Sequence, residues 1–390
     1  MRILIAHNAY QHRGGEDAVV AAEEALLRAH GNETLLYQRH NDELQAMPRM
    51  QAAVSAIWSS QSVRELEQQC REFQPDVIHA HNTFPLISPS LYWVAHKLRI
   101  PVIQTLHNFR LLCPQAMLLR DGGICEDCVG KLPWRAVTRK CYRDSTLQSA
   151  VLGSMLTLHK TIGTFNHKVA LYIATNTFCR DKFIAGGLPD ERLRVKPHFV
   201  DNVSLTPQWE QREGGLFIGR LSPEKGLDVL IDACKQLAAP AVRIVGTGPL
   251  ADRVVPAFGE RYLGYRERQE VLQLLGNAAF LVAPSTCYET FGLVGIEAFS
   301  CGTPVIASRR GSFGELVTDG VTGLLFEPGD AQDLARKIEW ALTHPDAMRE
   351  MGRAARAEYL SRYTPQRNYQ MLMEIYQEAV VRSQEVLHVA

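Results

Sequence analysis

The sequence predicts an α/β protein built from two doubly wound units in tandem. Three observations carry that prediction. Short, β-branched apolar runs alternate with helix-period segments along almost all of the 390 residues. The runs are continuously apolar rather than alternating, the pattern of parallel strands buried on both faces. The alternation pauses once, over Val195–Gly215, a stretch without periodicity that holds proline, asparagine and glycine, and then restarts. Strand–helix–strand alternation of this kind implies an open parallel sheet with helices on both sides.

In the first unit, set at 1–200, "RILIAH" leads to the helical "AVVAAEEALLRAHG" and then to "ETLLYQ"; "DVIHAHN", "PVIQTLHN" and "VALYIATN" follow, each ending in polar or turn residues. In the second, set at 206–364, the strand "GLFIGR" precedes the helix "GLDVLIDACKQL". The strands "VRIVG" and "RYLGY", the helix "RERQEVLQLLG" and the strand "AFLVAPS" come next. In such sheets ligands lie beyond the carboxyl ends of the strands, so the residues just after each strand are the ones to read for function.

Composition narrows the classes. Hydrophobic residues make up 46% and charged residues 22% of the chain, enough for two cores. The formal net charge is zero, which argues against a general nucleic-acid binder. The five residues after Arg2 are too few for a signal-peptide core, and the longest apolar suspect, Ser149–Phe165, carries His159 and Lys160. A cytoplasmic protein is the expectation, and its nine cysteines are then not expected in structural disulfides.

Two stretches could carry chemistry in the second unit. "GRLSPEKG" places Arg220 and Lys225 directly after a strand, and a guanidinium fork with a point-charge ammonium suits a diphosphate. A solvated basic loop is the plain alternative. In "CYETFGLVGIEAFSCGTPVIA", Glu289 precedes a helix and Glu297 lies inside it. Carboxylates can accept from sugar hydroxyls, and the first amides of the helix, at Leu293 and Val294, can hold a phosphate oxygen. Buried structural carboxylates are the alternative. In the first unit, Gly14 and Gly15 open a helix where backbone could approach a phosphate, and His107 ends a strand.

Taken together, these residues resemble retaining glycosyltransferase family 4. The glutamate pair followed by "AFSCGTPVIA", with "GRLSPEKG" about 70 residues earlier, carries the resemblance, and "IVGTGP", "LGY" and "APS" fall in order between them. Glu16 after the two glycines fits the same pattern. The resemblance implies the GT-B fold, two Rossmann-like domains facing a central cleft. It implies a UDP- or GDP-sugar donor, no catalytic metal, and transfer with retention of configuration. By the same resemblance Glu297 would bind the ribose and Glu289 the donor sugar. Arg220 and Lys225 would neutralise the diphosphate, and His107 would meet a sugar hydroxyl or the reacting centre. Gly246, Tyr265, Arg266, Phe291 and Gly292 would complete the donor site, base contacts falling near Tyr265 and Arg266. The amphipathic stretch Thr364–Arg382 would cross back onto the first unit, as a final helix over about 365–390.

One segment departs from the family. After His107, an insert at about 108–165 holds Cys113, Cys125, Cys128 and Cys141 at C-x11-C-x2-C-x12-C spacing. A structural zinc, unbonded thiols and a disulfide are the three readings. Between Lys131 and Arg143 lie five basic residues and no acidic one, with Leu132 and Trp134 interleaved. That composition suits either an anionic membrane surface, hence a polyprenyl-linked saccharide acceptor and a place at the inner face of the membrane, or a solvated loop. Other classes compete for the whole chain: a GT-B sugar-nucleotide epimerase, a scaffold of a polysaccharide-assembly complex, or a nicotinamide dehydrogenase. The last rests on Gly246, Gly248 and Ala251 with Glu267 downstream.

Overall fold

The computed structural model describes residues 1–11, 14–239 and 241–389. It forms two compact units: Met1–Leu118 with Glu126–Lys196 and Tyr369–Ala390, and Leu119–Cys125 with Pro197–Asn368. The first holds a parallel six-stranded sheet of β1 (Arg2–Ala9), β2 (Glu33–His40), β3 (Val77–Asn82), β4 (Val102–Leu106), β7 (Leu171–Ala174) and β8 (Leu193–Val195). Its order is β2-β1-β3-β4-β7-β8. Between β4 and β7 the insert adds a two-residue hairpin, β5 (Leu119–Arg120) and β6 (Gly123–Ile124), and the helices Trp134–Thr138 and Thr146–Thr161. The second unit repeats the architecture with β9 (Gly215–Ile218), β10 (Val242–Val245), β11 (Tyr262–Gly264), β12 (Phe280–Ala283), β13 (Val305–Ser308) and β14 (Gly323–Phe326), ordered β11-β10-β9-β12-β13-β14.

The continuously apolar strands are explained by burial on both faces. In the second unit Leu216, Leu281 and Val305 point into one core with Ile296, Phe299 and Tyr359. Their chain neighbours Phe217, Val282 and Ile306 point into the opposite core with Leu334 and Ile338. Each fully buried aliphatic side chain contributes about 1.5–3 kcal/mol. The segment ahead of β9 is not a loose tether. Arg212 donates to the carbonyls of Cys301 and Gly302 at 2.6 and 2.8 Å, and the Trp209 indole donates to Gly302 as well, which straps the segment to the second unit.

The last helix, Pro365–Val389, belongs to the first unit from Tyr369 onward. Leu372, Ile375, Tyr376 and Ala379 recur at three- and four-residue spacing and enter the core of Ile3, Ile5, Val77 and Ile103. Tyr376 also brings a hydroxyl into that core, 2.7 Å from Nδ1 of His79 on β3. Nε2 of His79 lies 2.8 Å from the Thr105 hydroxyl on β4. Beside it, Lys196 at the end of β8 donates to Glu23 of the helix Gly15–Ala29 at 2.5 Å, both side chains fully buried. Glu23 Oε2 is in turn 4.0 Å from His79 and 3.6 Å from His81. Buried polar groups persist only where others satisfy them, and here one helix, three strands and the final helix supply the partners.

Burial drives the His79 ring down to about 4. Glu23 opposes the shift and Lys196 adds to it. The neutral ring is therefore the folded form, while an unfolded chain titrates near 6.5. Its stabilisation is complete above about pH 6.5 and is lost as pH falls toward 4. A shift of this size corresponds to about 2–3 kcal/mol lost between pH 7 and pH 4.5. Chemical denaturation of the first unit at those two pH values should show that drop, and His79→Gln should flatten it. A slope unchanged by the substitution would place the acid sensitivity elsewhere.

Candidate functional site

In the second unit the sequence-selected residues gather at the carboxyl ends of β9, β10 and β12. The loop after β9 is locked to the loop after β10. The Leu221 amide donates to the Thr247 carbonyl at 2.9 Å, and the Leu250 amide returns to Leu221 at 2.9 Å. The turn Pro223–Lys225 is then held to the end of β12 by the Thr286 amide, which donates to Glu224 at 3.0 Å. This brings the Lys225 ammonium 2.6 Å from Glu289, whose carboxylate also accepts from the Ser285 hydroxyl at 2.8 Å. Burial works to raise the Glu289 carboxyl, but Lys225 and Ser285 outweigh it and hold it below the usual carboxylate range. Burial likewise works against the Lys225 ammonium, and Glu289 more than restores it. Both groups are charged at neutral pH. Arg220 stands exposed on the same loop.

The Glu289 loop is fixed from behind as well. Ser312 donates its amide to the Glu289 carbonyl at 3.1 Å, and the Arg310 guanidinium donates to the Thr286 carbonyl at 2.7 Å. Helix Leu293–Ser300 follows, entered through Gly292 in the left-handed region at φ 76°. Its first amides, Leu293 and Val294, have no acceptor within their own helix. Glu297 lies one turn in, and burial raises its carboxyl against the pull of Arg268. Cys287 is buried beside the pair, its thiol pushed up to about 12 by burial.

Other sequence-selected residues are placed differently. Phe291 is a core residue: its ring packs edge-on against His198 at 4.8 Å and joins Tyr363. Past β11, Tyr265 is exposed and Arg266 half-buried, with the Arg266 guanidinium on the Tyr265 carbonyl at 3.0 Å. Gly246 adopts φ 136° where an added Cβ would sit 1.9 Å from the Gly219 carbonyl oxygen, so its first demand is the β9–β10 contact. Glu267 is the N-cap residue of helix Arg268–Asn277, exposed, with its amide donating to Glu270 at 3.1 Å. A cavity of about 1120 Å³ opens at the other end of the sheet, among Glu213, Gly214, Val242 and Asn277. It lies at the strands' amino ends and gathers none of these residues.

In the first unit Gly14 caps the Gly15–Ala29 helix in an extended conformation, its amide donating to Asp17 at 2.7 Å. Asp17 also accepts from the Tyr10 amide and sits 2.8 Å from the His7 ring. His12 and Arg13 of the same loop lie outside the described residues. His107 ends β4 with Nε2 2.9 Å from Nδ1 of His81, the rings stacked at 5.1 Å. His81 in turn borders Glu23 and Lys196, so His107 is the outer member of a buried polar chain. Sequence reading missed that chain. Its trace was "DVIHAHN", two histidines on one face of a fully buried strand.

Among the described residues, Glu23, His79 and His81 are the one group of three or more His, Cys, Asp or Glu ligand atoms close enough to share an ion. Lys196 already places a cation at Glu23, and both His79 nitrogens face hydroxyls, so the residues fit an ion-pair network rather than a metal. The four insert cysteines do not converge in this way. Cys113 is buried, while Cys125, directly after the hairpin, Cys128, and Cys141, after helix Trp134–Thr138, are half-buried.

Comparison with known proteins agrees with the architecture. Residues 8–198 match the Glycosyl transferase 4-like domain family and residues 209–358 match Glycosyl transferases group 1. An uncharacterized glycosyltransferase of Methanocaldococcus jannaschii is 30% identical over 226 residues, 55% of this chain and 63% of that one. The sulfoquinovosyl transferase of Arabidopsis thaliana is 24% identical over 306 residues, 73% of this chain and 53% of that one. The chain thus spans under two thirds of these curated relatives. Among solved structures, sucrose-phosphate synthase from Thermosynechococcus elongatus superposes with a TM-score of 0.72 at 19% identity, covering 98% of this chain and 99% of that one. Anabaena HepE, solved with UDP-glucose, gives 0.66 at 21%, covering 97% of this chain and 100% of that one. The chain therefore carries a glycosyltransferase 4-like domain followed by a group 1 domain. Its fold is the two-domain α/β fold of the GT-B type.

The loop geometry can be probed with two glycines. Gly226 closes the Lys225 turn at φ 71°, and an added Cβ would lie 1.8 Å from the Pro284 carbonyl oxygen. Gly320, at φ 75°, has open space around it. Gly320→Ala should cost about 1–2 kcal/mol, the left-handed penalty alone. Gly226→Ala should cost more and displace Lys225 from Glu289. Denaturant titration of both variants decides, and equal losses would mean that the Gly226 contact can relax.

Proposed function

We propose that the protein is a glycosyltransferase that moves a sugar from a nucleoside diphosphate sugar, UDP- or GDP-linked, to a saccharide or polyprenyl-linked saccharide with retention of configuration. The reading places it in bacterial surface polysaccharide synthesis, in the cytoplasm, with the insert at 131–165 as its contact with the inner face of the membrane. The observation that carries it is the Lys225–Glu289–Ser285 cluster at the strand ends, one loop from the amides of Leu293 and Val294, inside a group 1 domain.

In this reading the bond between the anomeric carbon and the diphosphate breaks, and the diphosphate leaves with the electron pair. Arg220, Lys225 and the helix amides stabilise the charge that develops there. The acceptor oxygen bonds to the anomeric carbon from the same face, and its proton passes to the departing phosphate oxygen. Glu289 orients the donor sugar through its hydroxyls, Glu297 holds the ribose, and His107 hydrogen-bonds a sugar hydroxyl. Positioning supplies the remainder. HepE, solved with UDP and with UDP-glucose, and TarM, solved with UDP and a saccharide, support this reading by fold alone.

A thermal-shift screen of UDP, GDP and ADP with their sugars identifies the donor, and the anomeric proton coupling of the product reports retention. Lys225→Ala should lower turnover by about 10²–10³, the usual effect of removing one charge-stabilising donor. An unchanged rate in a folded variant would remove Lys225 from the leaving-group site. The two glutamates should separate by ligand. In calorimetry Glu297→Ala should weaken the free nucleoside diphosphate, while Glu289→Gln should spare it and weaken the intact sugar nucleotide. Equal losses for both ligands in both variants would contradict the division of roles.

A further inference from the structure

The first unit leaves a set of large apolar side chains in water, and they are not scattered. Apart from Val381, every exposed large apolar side chain described in that unit falls in three segments: the helix Arg49–Ile57 and its following residue, the start of helix Trp134–Thr138, and helix Thr146–Thr161 with Ile162. On the first helix, Met50 (76% exposed), Val54 and Trp58 stand at i, i+4 and i+8, which makes one stripe. On the third, Leu147 (72% exposed) and Leu158 share a face away from the buried Leu152 and Leu156, and Ile162 follows at the helix end. Leu132 and Trp134 stand at the entry to the second.

These helices are neighbours. His159 brings Nε2 within 3.0 Å of the Ile57 carbonyl and so joins the third helix to the end of the first. Gly153 leaves room for Val137, and the Tyr142 amide donates to Ser149 at 3.0 Å, which joins the third helix to the second. The charges around the apolar residues are mainly basic. Arg49, Lys131, Lys140 and Arg143 are exposed, against the exposed Asp144 and against Asp127, which is paired with Arg135 and Arg139. Among the described residues no helix is long and apolar enough to cross a membrane.

We propose that this three-helix face is a docking surface for an anionic phospholipid bilayer, with the stripes of Met50, Val54, Leu147 and Leu158 entering the headgroup boundary and the ring of lysines and arginines meeting lipid phosphates. It deepens the membrane contact in the reading above, on which it rests for its purpose, by adding the Arg49–Trp58 segment and naming the lipid charge. Exposed apolar residues flanked by an excess of cations are the composition of interfacial helices. Each basic residue near such a surface is worth about a fivefold change in affinity.

The test is flotation of the full chain with vesicles of phosphatidylglycerol and, separately, of phosphatidylcholine, without donor or acceptor, so that the outcome is independent of transfer activity. The chain should float with phosphatidylglycerol only, and raised salt should weaken binding. A variant carrying Met50→Gln, Val54→Gln, Leu147→Gln and Leu158→Gln should stay unbound while keeping the wild-type melting temperature and nucleotide-induced shift. Lys131→Gln with Arg143→Gln should weaken binding by roughly 25-fold. Absence of binding to phosphatidylglycerol, equal binding to phosphatidylcholine, or binding unaffected by the four glutamines would each overturn the proposal. So would a wild-type dimer that the four glutamines convert to monomer, since a second copy would then cover the face.

Discussion

A buried ion pair, Glu23 with Lys196, is the constraint around which the first unit is arranged. Two charges removed from water are tolerated only with close pairing and further polar partners. Each side of that requirement recruits a different part of the chain: the Gly15–Ala29 helix supplies the carboxylate, the end of β8 supplies the ammonium, and β3 supplies His79 and His81. The Tyr376 hydroxyl then fixes the final helix against His79. Removing one partner of such a pair costs about 3–5 kcal/mol, because the other charge stays buried alone. The network thus favours one packing of five elements where apolar contacts by themselves would tolerate several.

The same chemistry is used differently in the second unit. Lys225 and Glu289 also form a close pair, but they stand at the strand ends beside an exposed arginine and the first amides of a helix. The backbone beneath them is fixed by contacts that admit only glycine at Gly226 and Gly246, where a Cβ would collide with a carbonyl oxygen. The pair is therefore partly open to ligand and held on an immobile frame, whereas Glu23 and Lys196 are closed on all sides. Rigid support under a charged, accessible pair is what a site that stabilises developing charge requires.

Most of the strands could be read from the sequence, because residues such as Leu216 and Phe217 face two different cores and so leave no polar alternation. β8 and β14 were not read: β8 has three residues, and "GLLF" at β14 carries no turn signal on its own. The placement of Glu289 before a helix and Glu297 inside it was legible from the spacing. Its direct contact with Lys225 was not, since 64 residues separate the two. Phe291, chosen by motif, proved to be a core ring, because a motif position does not say which way the side chain points. The insert cysteines formed a suggestive spacing, but spacing alone does not say whether a metal joins them. The polar chain behind His107 was missed because it joins residues from five elements.

The resting contact between Lys225 and Glu289 bears on how a donor would be received. A lysine held 2.6 Å from a carboxylate is already neutralised, whereas the exposed Arg220 on that loop has no ion pair among the described residues. A diphosphate carries more charge than a carboxylate and would draw the Lys225 ammonium toward itself, at the expense of the Glu289 contact. Glu289, kept ionised by Lys225 and Ser285, would then have acceptor capacity to give to sugar hydroxyls. The two ends of the ligand would be recognised in one exchange of partners: the leaving group takes the lysine and the sugar takes the carboxylate. A nucleoside diphosphate without its sugar would win the lysine but leave the carboxylate with the Ser285 hydroxyl alone, a poorer state for a buried charge. The pair therefore links recognition of the sugar to recognition of the phosphate, which neither residue could do alone.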